Sequence, residues 1–121
     1  MKLKGKICSG QGVGAFYVNK ISEYFKSQYG IKLFPGTLNV ELAKNFVLES
    51  NEKIAKKAYG GTQDVILKEV KINGHKAYLL RPEVNNAGIG DQALNILEIA
   101  ADVCFRKEYH LKDGDEVEIE I

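Results

Sequence analysis

The sequence predicts a mainly β fold, a small closed or nearly closed β-barrel carrying one or two peripheral helices. Three observations predict it. Residues 3–8 alternate apolar Leu3 and Ile7 with Lys4 and Lys6, the period of a half-buried strand. The runs DVILKEVKI and HKAYLLRP flank Asn73-Gly74, the strongest short-range hairpin signal. The chain closes on EVEIEI, which sets Val117, Ile119 and Ile121 on one face. No βαβ alternation connects these segments, which disfavours a doubly wound parallel sheet.

Taken in order, the first strand runs straight into SGQGVGAF, residues 9–16, with three glycines at alternate positions. Ile21, Tyr24, Phe25 and Gln28 then recur at helical spacing, so a helix is expected from about residue 19 to 29, stopped by Gly30. Pro35-Gly36 breaks the chain before a strand over 37–42, in which Leu38, Val40 and Leu42 alternate with Thr37, Asn39 and Glu41. Residues 43–61 are polar and end in Gly60-Gly61; a connection with a helical turn near 51–58 is expected. The hairpin follows at 65–81. PEVNNAGIGDQ reads as a long loop, and ALNILEIAA, rich in Ile and Leu, as a buried strand over 93–101. A short helix at 102–109 and a turn at 112–115 lead into the last strand.

A chain of 121 residues suits one domain, expected to span 1–121, since that size buries a real core. With 17 basic and 16 acidic residues the net charge is +1, so no global field draws the protein to nucleic acid or to an anionic membrane. Aromatic stacking on single-stranded nucleic acid through Tyr17, Tyr24, Phe25, Tyr29 and Phe34 is disfavoured by that charge. The helical spacing of Tyr24 and Phe25 points to core packing instead. There is no signal-peptide run and no stretch of roughly 20 apolar residues, so a cytoplasmic protein is expected. Cys8 and Cys104 are too few for a disulfide framework and lack zinc-site spacing, so both are expected to be buried or partly buried thiols. No carboxylate cluster surrounds His75 or His110 in sequence.

The glycine run is not a P-loop, because no lysine followed by Ser or Thr comes after it. Nor is it the dinucleotide fingerprint, whose third glycine would fall later. Alternate glycines leave backbone N–H groups unshielded, so a phosphate nest and a plain strand-to-helix turn both remain open. Thr37 and Asn39, two apart on a strand, share a face and offer hard oxygen donors suited to magnesium, or simply line a solvated surface.

Taken together, GQGVGAFY, FPGTLNVEL, ILEIAA and LKDGDEVEIEI resemble the archaeal-type CTP-dependent riboflavin kinases in order and along the whole chain. The most specific motifs are GTLN at 36–39 and LKDGD at 111–115. The resemblance implies a small cradle-loop β-barrel that transfers the γ-phosphoryl group of CTP to the 5'-hydroxyl of riboflavin, giving FMN and CDP, with Mg2+. It implies that Gly10, Gln11, Gly12, Val13, Gly14 and Ala15 surround the nucleotide phosphates and that Thr37 and Asn39 bind the metal. Glu98 would face the flavin and be the candidate catalytic carboxylate. Val103, Cys104, Phe105 and Arg106 fall in a second nucleotide-contacting segment. Val13 and Ala15 stand where family loops can carry an acidic and a basic residue, so backbone N–H groups would do more of the holding. The threonine with which the family contacts flavin shortly after a proline is absent from PEVNN, where Asn85 or Asn86 stands instead. Some relatives carry an N-terminal winged-helix domain; here the first strand begins near Met1, and the kinase module alone, acting as a monomer, is expected. A non-catalytic flavin- or nucleotide-binding barrel is the alternative.

Overall fold

The computed structural model describes residues 1–9, 14–61, 63–83 and 93–121, and of residues 14–18 the helical backbone alone. The elements are β1 (Lys2–Cys8), α1 (Gly14–Tyr29), β2 (Leu38–Leu42), β3 (Glu52–Ile54), α2 (Lys56–Tyr59), β4 (Val65–Ile72), β5 (His75–Pro82), β6 (Ile96–Ala100), α3 (Phe105–Glu108) and β7 (Glu116–Glu120).

The strands run in the order β3-β4-β5-β6-β2-β1-β7, and β4 also pairs with β7. That last pairing, Lys71 with Glu120 and Ile72 with Ile119, closes β4, β5, β6, β2, β1 and β7 into a barrel in which every neighbour is antiparallel. The predicted barrel is therefore the observed one. Closure gives each of these six strands a neighbour on both sides, and β3 covers the start of β4.

The period of two in each strand sorts side chains between two cores. Ile7, Leu38, Val40, Leu42, Val70, Ile72, Ala77, Leu79, Leu97, Ile99, Val117 and Ile119 fill the barrel interior. On the outside, Ile21 and Phe25 of α1 pack on Val65, Leu67, Tyr78, Leu80 and Ala100. Phe25 is fully buried, in the core role its spacing predicts, and burying an aromatic side chain of that size is worth about 1.5–3 kcal/mol. Gly5 permits the closest approach of two strands, since a Cβ there would lie 2.6 Å from Val40 Cγ1 and 2.7 Å from the Glu41 carbonyl. The hairpin turns on Asn73 and Gly74, both at positive φ (52° and 77°), as the Asn-Gly pair predicts.

Several elements differ from the sequence expectation. The helix α1 starts at Gly14, five residues before the expected start, because glycines conceal a helix from propensity. Its stop is as expected: Gly30 at φ 66° donates to the Lys26 carbonyl at 3.0 Å. Residues 43–61 hold a strand, β3, where only a connection with a helical turn was expected; its three residues, two of them exposed and charged, carry no legible alternation. The expected strand at 37–42 begins one residue later, leaving Thr37 just outside it, and the one at 93–101 is confined to Ile96–Ala100. The helix expected at 102–109 is one turn, Phe105–Glu108. No helix among the described residues is long and apolar enough to cross a membrane.

Candidate functional site

The barrel has an upper end, where β1 and β6 finish and β2, β5 and β7 begin, and a lower end, where β2 and β5 finish and β6 begins. At the upper end, Phe34, Thr37, Val103, Cys104, Phe105 and Arg106 line a cavity of about 170 Å³. The chain order separates these residues by more than 60 positions. Strands β2 and β6 unite them, because the start of one lies beside the end of the other, with Leu38 opposite Ile99. The Phe34 N–H donates to the Ala101 carbonyl at 2.7 Å and fixes that juxtaposition.

A polar row crosses the outer face just below. Register places Cys8 opposite Asn39 and Asn39 opposite Glu98, three adjacent strands in one line. Directly opposed residues hold their Cβ atoms about 4.5–5.5 Å apart, so the amide and the carboxylate are side-by-side neighbours. Asn39 is only 9% exposed, although strand alternation points it away from the barrel interior. Its Oδ1 is buried with no hydrogen-bond partner among the described residues. An orphaned buried acceptor costs about 1–3 kcal/mol, and a hard cation would satisfy it. The donor at Asn39 thus fits the metal that the resemblance implies at Thr37 and Asn39; Thr37, half-buried, lies just before the strand and lines the cavity wall. Among the described residues no cluster of three His, Cys, Asp or Glu side chains could hold a metal by itself, so any ion here would draw further ligands from substrate and water.

Arg106 does not point free into solvent. Its Nη2 donates to the Cys8 carbonyl at 3.2 Å and to Asp113 Oδ1 at 2.6 Å. Asp113 Oδ2 accepts from Ser9 Oγ at 2.5 Å. These two hydrogen bonds, Ser9 first and Arg106 second, hold the Asp113 carboxyl below its ordinary range. Burial pushes the Cys8 thiol up, helped by Glu41 and Asp113, so Cys8 is a thiol at neutral pH and no nucleophile. Both cysteines are free and partly buried, as expected.

The other residues assigned from sequence divide as follows. Gly10, Gln11, Gly12, Val13 and Asn85 lie outside the described residues, while Gly14 and Ala15 form the first helical positions of α1. Glu98 is half-buried on β6 beside Asn39. Sequence reasoning missed Arg81, which is 4% exposed at the lower end and donates to the Phe46, Leu94 (3.0 Å) and Ile96 (3.2 Å) carbonyls. Burial lowers its pKa and Glu98 opposes that shift, which puts the two in electrostatic contact. The signal was present: Ala77, Leu79 and Arg81 share the inward parity of β5. His75 has no carboxylate near it in sequence, and the fold brings it one, Asp102, 2.7 Å from its Nε2 across a gap of 27 residues. Phe105 packs edge-on against the His75 ring at 5.5 Å, so the pair props α3 from behind the cavity.

Comparison with known proteins bears on this arrangement. A model of the CTP-dependent riboflavin kinase family, described as "Domain of unknown function DUF120", matches residues 7–121. A riboflavin kinase of Staphylothermus marinus is 40% identical over 122 residues, covering 98% of this chain and 90% of that protein. Riboflavin kinases of Methanocella arvoryzae and Pyrobaculum aerophilum are 29% and 32% identical over 97% and 100% of the chain. The chain spans only 55% and 60% of the length of those two.

Proposed function

The chain belongs to the CTP-dependent riboflavin kinase family, and from that membership we propose that it transfers the γ-phosphoryl group of CTP to the ribityl 5'-hydroxyl of riboflavin, giving FMN and CDP. The observation that carries this reading onto the chain's own residues is Asn39 Oδ1, buried and with no hydrogen-bond partner among the described residues, beside Glu98. An amide oxygen that a cation would satisfy and a carboxylate that would orient a substrate hydroxyl are side-chain functions such a transfer uses.

Phosphoryl transfer demands positioning and charge neutralisation more than covalent chemistry by side chains. In the proposed arrangement the backbone N–H groups of residues 10–15 cradle the phosphates. Thr37 and Asn39 hold magnesium, which when bound would screen the charge that builds on the phosphoryl oxygens. Residues 103–106 receive the base; the cavity of about 170 Å³ is smaller than the roughly 300–1,000 Å³ of pockets that enclose whole drug-sized ligands, and suits a single-ring base. Glu98 orients the riboflavin hydroxyl and accepts its proton as the oxygen attacks the γ-phosphorus and the bond to the β-phosphate oxygen breaks. Asn85 adds a flavin contact. The protein acts as a monomeric module.

The test is FMN formation from riboflavin and CTP with magnesium, by wild type and by Asn39→Leu. Wild type is expected to release FMN and CDP in equal amounts, and Asn39→Leu, though folded, to release neither. Near-normal turnover of Asn39→Leu and of Thr37→Ala at limiting magnesium would remove the metal assignment.

A further inference from the structure

The motif LKDGD at 111–115 has no part in the mechanism above, yet its first aspartate joins two remote segments at the upper end. Each oxygen of Asp113 takes a different partner, Ser9 Oγ at 2.5 Å and Arg106 Nη2 at 2.6 Å. Ser9 is the residue from which the glycine run departs, and Arg106 lines the cavity and also grips the Cys8 carbonyl. The turn itself does not depend on this side chain. Its backbone is pinned to β1 by Gly114 N–H to the Ile7 carbonyl (2.8 Å) and Ile7 N–H to the Asp115 carbonyl (2.9 Å), and Asp115 Oδ2 caps the Lys112 N–H at 2.9 Å.

The side chains of Asp113 and Arg106 remain 53% and 37% exposed, and ion pairs as exposed as this contribute little to stability. Fold maintenance therefore does not account for a carboxylate that ties two remote segments together. We propose that Asp113 is a positioning residue for the nucleotide: it couples the start of the phosphate loop at Ser9 to the base-holding segment through Arg106, so that one anchor sets both. The inference rests on the reading of the upper end as the nucleotide site. Charge-assisted hydrogen bonding suits this task, since Arg106 Nη2, shared between the Cys8 carbonyl and the Asp113 carboxylate, keeps the guanidinium at the cavity wall.

The experiment measures CDP affinity with magnesium by calorimetry, alongside both KM values, kcat and the thermal midpoint, for wild type, Asp113→Ala, Asp113→Asn, Ser9→Ala and the Ser9→Ala/Asp113→Ala double variant. Asp113→Ala is expected to weaken CDP binding and raise the KM for CTP about tenfold, with kcat and the riboflavin KM within about twofold and the midpoint near wild type. Asp113→Asn keeps an oxygen acceptor and falls between. The double variant binds no more weakly than Asp113→Ala, because the two changes cut the same tie. Unchanged CDP affinity in Asp113→Ala, a parallel rise of both KM values, or additive losses in the double variant would overturn the proposal. Should Asp113→Ala fail to fold, Asp113→Asn and Ser9→Ala carry the same comparison. A wild type that makes no FMN contradicts the kinase reading but leaves the calorimetry to decide the coupling; a wild type that binds no CDP overturns both.

Discussion

Arg81 and Arg106 fasten the two ends of the barrel in different ways. Arg81 is enclosed at the lower end, its guanidinium spent on the Phe46, Leu94 and Ile96 carbonyls that join the end of β5 to the segments before β3 and β6. Arg106 stands at the upper end, more than a third exposed, shared between one carbonyl and a carboxylate and bordering a cavity. The first arrangement makes a rigid joint, because a buried charge satisfied by fixed backbone oxygens has no second place to go. The second leaves the same chemistry partly open, which a ligand could complete, as the proposed function requires. Binding groups on the surface of a fixed scaffold is what a transfer reaction driven by positioning needs.

The comparison can be broken most forcefully at Arg81. Arg81→Met is expected to lower the free energy of unfolding by about 3 kcal/mol, by leaving three partly buried carbonyls short of a donor, and urea denaturation measures it. A loss below about 1 kcal/mol would show that the joint is not what holds this end. Glu98 stands between the two ends, opposite Asn39 and in electrostatic contact with Arg81. Glu98→Gln is expected to cut kcat about 10–100-fold with little change in either KM, since a base acts in the transition state. Arg106→Ala should raise the KM for CTP about tenfold while changing the unfolding free energy by less than about 1 kcal/mol, the reverse of the Arg81 pattern.

The smallest expected effect is one of pH. The Asp113 carboxyl is depressed in the folded state, so its contribution is present above the ordinary carboxylate range and is lost as pH falls through the lower folded value. The difference in thermal midpoint between wild type and Asp113→Asn should be small and constant from neutral pH down to about pH 4 and shrink below it. A difference that grows on acidification would contradict the Ser9 and Arg106 partnership.

The strands were legible in the sequence because their signals are local. Alternation in β1, β2 and β7 and the positive-φ Asn73-Gly74 turn need no distant partner to be read. The burial of Asn39 was not legible. Alternation assigns it correctly to the outer face, but only the assembled structure sinks that part of the face beneath the surface and orphans Oδ1. Pairing across long sequence gaps was hidden for the same reason: Asp113 meets Ser9 from 104 residues away, and His75 meets Asp102 from 27. The glycine run concealed the start of α1, since a residue of low helix propensity opens it.

Under the proposed function the upper end holds a nucleoside triphosphate whose γ-phosphoryl group passes to riboflavin, leaving the diphosphate. The most direct measurement of that transfer incubates the purified protein with riboflavin, magnesium and each of CTP, UTP, ATP and GTP in turn, and quantifies FMN by chromatography. The account predicts FMN with CTP well above the yield with any other donor, with CDP formed in equal amount. No FMN with any of the four would contradict it and leave a barrel that binds flavin or nucleotide without catalysis.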